Sequence, residues 1–281
     1  MKWLVYGYKG WIGNYFCEFV RRYHPEIVLV YPNSRADDIE GVKDDLSRFN
    51  PQRVLSFIGR TNGEHFNSID YLEQDGKLVE NVRDNLFSPL VLMKLCLDFD
   101  VHLTYLGTGC IFSYKEPNDA PFTTESKPNF FGSSYSIVKG FTDQVSTLFS
   151  NVLNVRIRMP IASYDCKKNF VSKIIRYPKI YNTLNSMTVL DDAIPALVEE
   201  IINERTGTIN LVNPEPIDHV SILELYKQYI DPNHKYELIS EEEHDSLLLS
   251  KRSKNVLEPS LKLPPTKSSI ERIFKNGFRL I

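Results

Sequence analysis

Cysteine is scarce in this sequence and poorly spaced for cross-linking. Cys17, Cys96, Cys110 and Cys166 include no CxxC pair, which argues against a disulfide framework and against a zinc site and leaves four reduced thiols. Long apolar runs are missing too: nothing approaches the ~20 consecutive apolar residues of a membrane-spanning helix. The start, Met1-Lys2-Trp3-Leu4-Val5-Tyr6, is too short an apolar stretch for a signal peptide, so a cytoplasmic location is expected. There is no long basic run, and the net charge is −3, which leaves nucleic-acid binding without electrostatic support. Neither an internal repeat nor a low-complexity segment interrupts the chain.

What is present is an ordinary globular composition, 42% hydrophobic and 25% charged over 281 residues, enough for one large domain or two modest ones with ample core. Short β-rich runs lie at Trp3–Gly7, Ile27–Tyr31, Arg53–Ile58, His102–Gly107 and Leu153–Arg158. They are nearly continuous in apolar residues, as strands buried on both faces of a parallel sheet are. Between them, Ile12–Tyr23, Asp37–Phe49, Lys77–Asp98 and Ser133–Ser150 have helical spacing. The alternation predicts an α/β fold, a Rossmann-like doubly wound sheet over about residues 1–160. After Pro160 the pattern loosens, with helices expected at Phe170–Arg176, Leu190–Glu204, Val220–Ile230 and Ser268–Phe274. Residues 161–281 are expected to form a smaller substrate-binding lobe, with a segment near 188–213, including a strand at Thr208–Val212, returning to the first domain.

Gly7-Tyr8-Lys9-Gly10-Trp11-Ile12-Gly13 follows the first strand and opens the first helix. Glycines at every third position permit a tight turn, close approach of a pyrophosphate and close helix–strand packing, and the helix N-terminus offers free N–H groups and a positive dipole end. A dinucleotide is therefore expected along Gly7, Lys9, Gly10, Trp11, Ile12 and Gly13. The second strand ends Tyr31-Pro32-Asn33-Ser34-Arg35. Ser34 and Arg35 there suit the 2′-phosphate of NADPH, although Asp37 and Asp38 follow closely and leave NADH open. Gly59-Arg60, after the third strand, are expected to line the cofactor groove.

Tyr135 and Lys139 stand four apart on a predicted helix, hence on one face. An ammonium beside a phenol favours the phenolate, and a tyrosine tuned this way hands a proton to a carbonyl oxygen during reduction. Thr108, at the end of the fourth strand, is the hydroxyl expected to hold that carbonyl; bonding to the backbone is the plainer alternative.

These features resemble the extended short-chain dehydrogenase/reductase family over nearly the whole chain. Gly109-Cys110-Ile111-Phe112, Lys127-Pro128-Asn129-Phe130-Phe131-Gly132-Ser133, Arg156-Ile157-Arg158-Met159-Pro160-Ile161, Asn169-Phe170 and Asn185-Ser186-Met187-Thr188-Val189-Leu190 are similar, more narrowly, to the epimerase/reductase module of UDP-rhamnose synthases. In that family the module inverts C3 and C5 of UDP-4-keto-6-deoxy-D-glucose and reduces C4 with NADPH, giving UDP-β-L-rhamnose. The resemblance implies Cys110 and Lys173 as the epimerase acid/base pair, where residue reading alone leaves a core cysteine and a surface lysine. It also implies Asn129, Phe130 and Asn169 near the nucleotide sugar, with Asn169 alternatively a helix cap. Arg252 is implied near the diphosphate, where a solvated basic patch is the alternative, and Asn85 as an organiser of the active site.

The sequence carries only this one module, so a separate 4,6-dehydratase is expected to supply the keto sugar. A homodimer through the Lys77–Asp98 and Ser133–Ser150 helices is expected by analogy. Lys9 stands where the family often has threonine, which changes a loop contact but not the backbone cradle. Two rival readings remain: a dTDP-4-keto-rhamnose reductase without epimerase activity, and a non-catalytic NADP-binding regulatory subunit. Intact Thr108, Tyr135 and Lys139 argue against the second.

Overall fold

A computed structural model describes residues 1–280 apart from 64, 65, 67 and 117. The chain begins with β1 (Lys2–Tyr6), α1 (Trp11–Tyr23), β2 (Val28–Val30), α2 (Ile39–Phe49) and β3 (Arg53–Ser56). After a short 3-10 turn at Ile69–Glu73 come α3 (Leu78–Val82), a π-helical turn at Arg83–Phe87 and α4 (Ser88–Asp98). Then follow β4 (His102–Thr108), α5 (Ser134–Ser146) and β5 (Val152–Ile157). The later elements are shorter: β6 (Pro160–Ile161), α6 (Phe170–Arg176), β7 (Lys179–Tyr181), β8 (Leu184–Asn185) and β9 (Thr188–Val189). The chain continues through α7 (Leu190–Ile202), β10 (Gly207–Asn210), β11 (Ile217–Asp218), α8 (His219–Tyr229), β12 (Glu237–Ile239), α9 (Glu241–Ser246) and α10 (Thr266–Lys275).

The main sheet runs β10-β5-β4-β3-β1-β2. β1 pairs parallel with β2, Leu4 opposite Val30, and with β3, Val5 opposite Leu55; β3 pairs parallel with β4. The chain leaves β1 in one direction to β2 and then crosses back to β3, so the strand order reverses beside β1. That switch point is where an open α/β sheet holds its ligand, and the Gly7–Gly13 loop starts there. β1, β3 and β4 are buried almost throughout, which is why their sequences read as unbroken apolar runs rather than as alternation.

Contacts divide the chain into two compact units. The first comprises residues 1–108, 134–156 and 197–209; the second comprises 109–133, 157–196 and 210–281. The first has its core around Leu4, Val54, Leu92, Leu103 and Val152, the second around Ile174, Val189, Leu223, Ile270 and Phe274. Segment 109–133 sorts with the second unit, unlike a simple cut near residue 160, because Asn255 bonds the carbonyls of Gly109 and Phe112. Phe122 and Leu257 complete a small cluster with Ile111 and Val212.

The single helix expected over Lys77–Asp98 is broken into three pieces. Pro89 has no N–H to give the Asn85 carbonyl four residues earlier; the Thr142 hydroxyl of α5 donates to it instead, at 2.6 Å. Among the described residues, no helix is long and apolar enough to cross a membrane.

Candidate active site

The glycine loop has the shape a dinucleotide requires. Gly7 has φ +77, and a Cβ there would sit 2.7 Å from the backbone carbon of Phe57; a Cβ on Gly13 would collide with the Gly7 carbonyl. Side chains are thus excluded where helix, strand and ligand converge. Gly10 is the N-cap of α1, no side chain caps that helix, and no acidic residue lies in its first turn, so its positive end stays open to a pyrophosphate. The residues present fit a nicotinamide dinucleotide. Lys9 is exposed, its Nζ 5.5 Å from the Tyr8 ring centroid; Trp11 and Ile12 are half-buried.

At the end of β2 the structure revises one expected ligand. The Ser34 hydroxyl donates to Asp45 Oδ2 at 2.6 Å, and Asp45 is buried. Its one proton is therefore spent, and Ser34 offers a phosphate no hydroxyl donor. Burial of Asp45 works against its charge, but bonds from Ser34 and Asn33 outweigh it and lower the pKa. Arg35 is well exposed, with Nε 2.9 Å from Asp37 Oδ1 and Nη2 3.6 Å from Asp84 Oδ1. Two more guanidiniums gather on Asp84: Arg60 at 3.0 Å and Arg83 at 2.8 Å. Burial of Asp84 opposes its charge, yet Arg83 and Arg60 hold its pKa below the usual value. Sequence reading missed Arg83 and Asp84, which lie in the π-turn.

Asn85 is fully buried. Its amide accepts from the Arg60 N–H at 3.0 Å and donates to the Arg60 carbonyl and to Asn81 Oδ1, each at 2.9 Å. Both ends of the amide are engaged by protein, so Asn85 braces the Gly59–Arg60 loop and does not present itself to a ligand. Through Thr142 the same turn steadies α5.

α5 carries Tyr135 and Lys139, both buried in the first unit together with Thr108, the last residue of β4. Its N-terminus is fixed by Glu73, whose carboxylate accepts from the backbone and hydroxyl of Ser134, each at 2.9 Å; a negative charge is favourable at that end. Lys139 Nζ donates to the Tyr105 hydroxyl and, at 3.3 Å, to the Leu106 carbonyl. Burial, aided by neighbouring Tyr135 and Asp143, pushes the Tyr105 pKa well up, so Tyr105 stays a neutral phenol. No spacing in the sequence pointed to Tyr105, because its partner is on another element.

In the second unit, Cys110 is half-exposed and accepts from Arg158 Nη1 at 3.0 Å. Lys173 lies on α6, half-buried. Burial lowers its pKa, and the nearby charges of Lys168 and Arg252 lower it further. Arg252 bonds the carbonyl and hydroxyl of Ser250 at 3.0 and 2.9 Å. Two expected sugar contacts are redirected. Asn169 is the N-cap of α6, fully buried, accepting from Val171 N and donating to the carbonyls of Ala162 and Tyr164, each at 2.8 Å. Its amide is consumed by protein partners, which places it as the cap that holds Lys173's helix. Asn129 is exposed, and its side chain pairs with the backbone N–H and carbonyl of Ser113 at 2.9 and 3.1 Å. Phe130 is half-buried, with its N–H on the Ile111 carbonyl at 3.1 Å. Both residues pin the loop after Cys110.

No family model matches the chain. It is 47% identical over 261 residues to the uncharacterized protein L780 of Acanthamoeba polyphaga mimivirus, covering 92% of this chain and 90% of L780. The crystal structure of the L780 UDP-rhamnose synthase from that virus superposes with a TM-score of 0.94 at 43% identity, over 98% of this chain and 99% of that one. The bifunctional dTDP-4-dehydrorhamnose 3,5-epimerase/dTDP-4-dehydrorhamnose reductase of Arabidopsis thaliana is 33% identical over 260 residues, 91% of this chain and 84% of that enzyme. Against a trifunctional Arabidopsis enzyme with UDP-glucose 4,6-dehydratase, epimerase and reductase activities, the identity is 34% and the chain spans 39% of its length. A dTDP-4-dehydrorhamnose reductase from Bacillus anthracis, in complex with NADP, shares the fold at a TM-score of 0.79 with 16% identity.

Proposed function

Given that this chain belongs to the UDP-rhamnose synthase family of nucleotide-sugar 3,5-epimerase/4-reductases, we propose that it converts UDP-4-keto-6-deoxy-D-glucose to UDP-β-L-rhamnose. The observation that carries the reading is the pairing of two sets of groups in one chain. Tyr135, Lys139 and Thr108 suffice for reduction, while a half-exposed thiol at Cys110 and a lysine of lowered pKa at Lys173 have no use in a plain reductase.

The C4 ketone acidifies the protons at C3 and C5. One of Cys110 and Lys173 removes such a proton, the electron pair moves to the C4 oxygen, and the other returns a proton on the opposite face. Thr108 and Tyr135 donate hydrogen bonds to that oxygen while it carries charge. In the second half-reaction Tyr135 delivers its proton to the same oxygen, with the Lys139 ammonium favouring the phenolate left behind. The nicotinamide, when bound, supplies the reducing equivalent at C4. Gly7–Gly13 would hold the dinucleotide, with Lys9, Trp11, Ile12 and the Gly59–Arg60 loop as its further contacts. Arg35, Arg60 and Arg83 bring three positive charges against two from Asp37 and Asp84, which supports NADPH over NADH. Arg252 is proposed to meet the diphosphate, adding its charge to that of Lys173.

The keto sugar is proposed to come from a separate 4,6-dehydratase. A homodimer is proposed through α3 and α5, where Leu78, Val79, Ile137 and Phe141 are exposed, Val79 by 73%; apolar clusters of this kind mark association surfaces. Sedimentation checks it: Phe141→Glu should convert dimer to monomer, and a wild-type monomer removes the proposal.

The deciding experiment incubates the protein with UDP-4-keto-6-deoxy-D-glucose in heavy water, first alone and then with NADPH or NADH, and follows the sugar by NMR. Deuterium is expected at C3 and C5 without cofactor, then UDP-rhamnose with NADPH and far less with NADH; UDP-glucose should be left unchanged. Reduction without exchange leaves a plain reductase. No reaction in any tube, with NADPH bound, overturns the substrate assignment.

A further inference from the structure

Arg158 has no part in the chemistry described so far, yet it is a buried cation held by several partners of the second unit. It follows β5 directly and is 3% exposed. Nη1 donates to Cys110 Sγ at 3.0 Å; Nη2 donates to Asn185 Oδ1 and to the Ser253 carbonyl, each at 2.6 Å. Its backbone is clamped on both sides by Thr188, N–H to Oγ1 at 2.9 Å and carbonyl from N–H at 2.7 Å. Asn185 Oδ1 also accepts from the Asn255 N–H at 3.1 Å. Asn255 Nδ2 in turn donates to the carbonyls of Gly109 and Phe112 at 2.8 and 3.0 Å, holding the turn on which Cys110 sits. One buried frame therefore fixes both the guanidinium and the sulfur.

Among the described residues no carboxylate pairs with Arg158; its acceptors are an amide oxygen, a carbonyl and a sulfur. A buried cation without a counter-charge is costly, and a neutral thiol does nothing to offset it, whereas a thiolate neutralises it. We propose that Arg158, braced by Asn185 and Asn255, keeps Cys110 ionised and aimed, and that Cys110 is therefore the base of the epimerase half-reaction and Lys173 its acid. This rests on the epimerase reading above. The surrounding titratable groups agree. His219, at the start of α8 and within electrostatic reach of Arg158, is neutral at physiological pH, its pKa pushed down to about 4 chiefly by burial. Asp218, beside His219, is capped onto Ser221, and Lys254 is paired with Glu241. The step balances. The Cys110 thiolate takes the proton, the C–H electron pair becomes the enolate, and the Lys173 ammonium protonates the opposite face. The resulting thiol and amine reset by proton exchange with water.

The test is the pH dependence of iodoacetamide alkylation at Cys110, read on its peptide by mass spectrometry in the full-length protein, alongside deuterium exchange at C3 and C5. Wild type should give a midpoint well below the ordinary thiol value of about 8.5. Arg158→Gln should raise the midpoint by about one unit or more and slow both alkylation and exchange at pH 7 at least about tenfold, and Arg158→Lys should restore part of each. Binding of NADPH reports the fold of each variant. A wild-type midpoint at or above the ordinary value overturns the proposal whether or not the glutamine variant folds. If Cys110→Ser leaves exchange intact, the epimerase reading itself fails; if it abolishes exchange while Arg158→Gln leaves the midpoint in place, only the Arg158 inference fails.

Discussion

Lys139 shows how a single residue's partners set its chemistry. Its ammonium donates to the Tyr105 phenol and the Leu106 carbonyl, one helical turn beyond Tyr135, whose phenolate the proposed reduction leaves behind. Tyr105→Phe removes an acceptor worth about 1.5–3 kcal/mol to a charged donor. The expected result is a fall in the reduction kcat of about ten- to a hundredfold, a displaced alkaline limb in the kcat–pH profile, where Tyr135 loses the proton it must deliver, and an unchanged KM for the sugar. An unaltered profile would mean that Tyr105 merely fills space. At this scale Tyr135 and Lys139 were legible because a spacing of four on a helix is local information. Arg158, Asn255 and Tyr105 were not, since each acts on a residue between 34 and 146 positions away. Asn169 and Ser34 carried the right residue types in the right places, but burial turned their polar atoms inward.

Among the elements, α5 bears the proposed reductase pair and is tied to its sheet by ions. Asp143, four residues beyond Lys139, receives Arg156 of β5 through two bonds of 2.8 and 2.7 Å, and Asn154 at 2.8 Å, with both charges almost fully buried. Removing one partner strands the other charge: Asp143→Ala is expected to cost about 3–5 kcal/mol in urea unfolding, and adding Arg156→Met should recover most of it. A single-variant loss under about 1 kcal/mol contradicts this. The long strands and helices of the first half were readable from periodicity. The break at Arg83–Phe87 was not, because the proline that removes one donor is answered by a threonine on a different helix. The two- and three-residue strands after Pro160 are too short to carry a period at all.

On the scale of the whole molecule, stability should depend on acid through His219. Its Nδ1 donates to the Tyr181 carbonyl at 2.9 Å, and its pKa of about 4 lies below the ~6.5 of an unfolded histidine. Above pH 6.5 the ring is neutral in both states and contributes no pH dependence. Between 6.5 and 4 only the unfolded chain takes up the proton, so stability declines as pH falls, by up to about 1.4 kcal/mol per unit from this group. Thermal unfolding at pH 7.5, 6 and 4.5 checks the slope, and His219→Gln should flatten it. The sequence by itself determined the parallel sheet, the tight glycine turn after β1 and the shared helical face of Tyr135 and Lys139, because buried strands, tight turns and helical faces are written in neighbouring residues. Only the tertiary structure decided that segment 109–133 belongs with the later part of the chain, that three arginines gather on Asp84, and that a buried guanidinium meets Cys110. Those outcomes depend on which distant polar groups are left to satisfy one another once water is excluded.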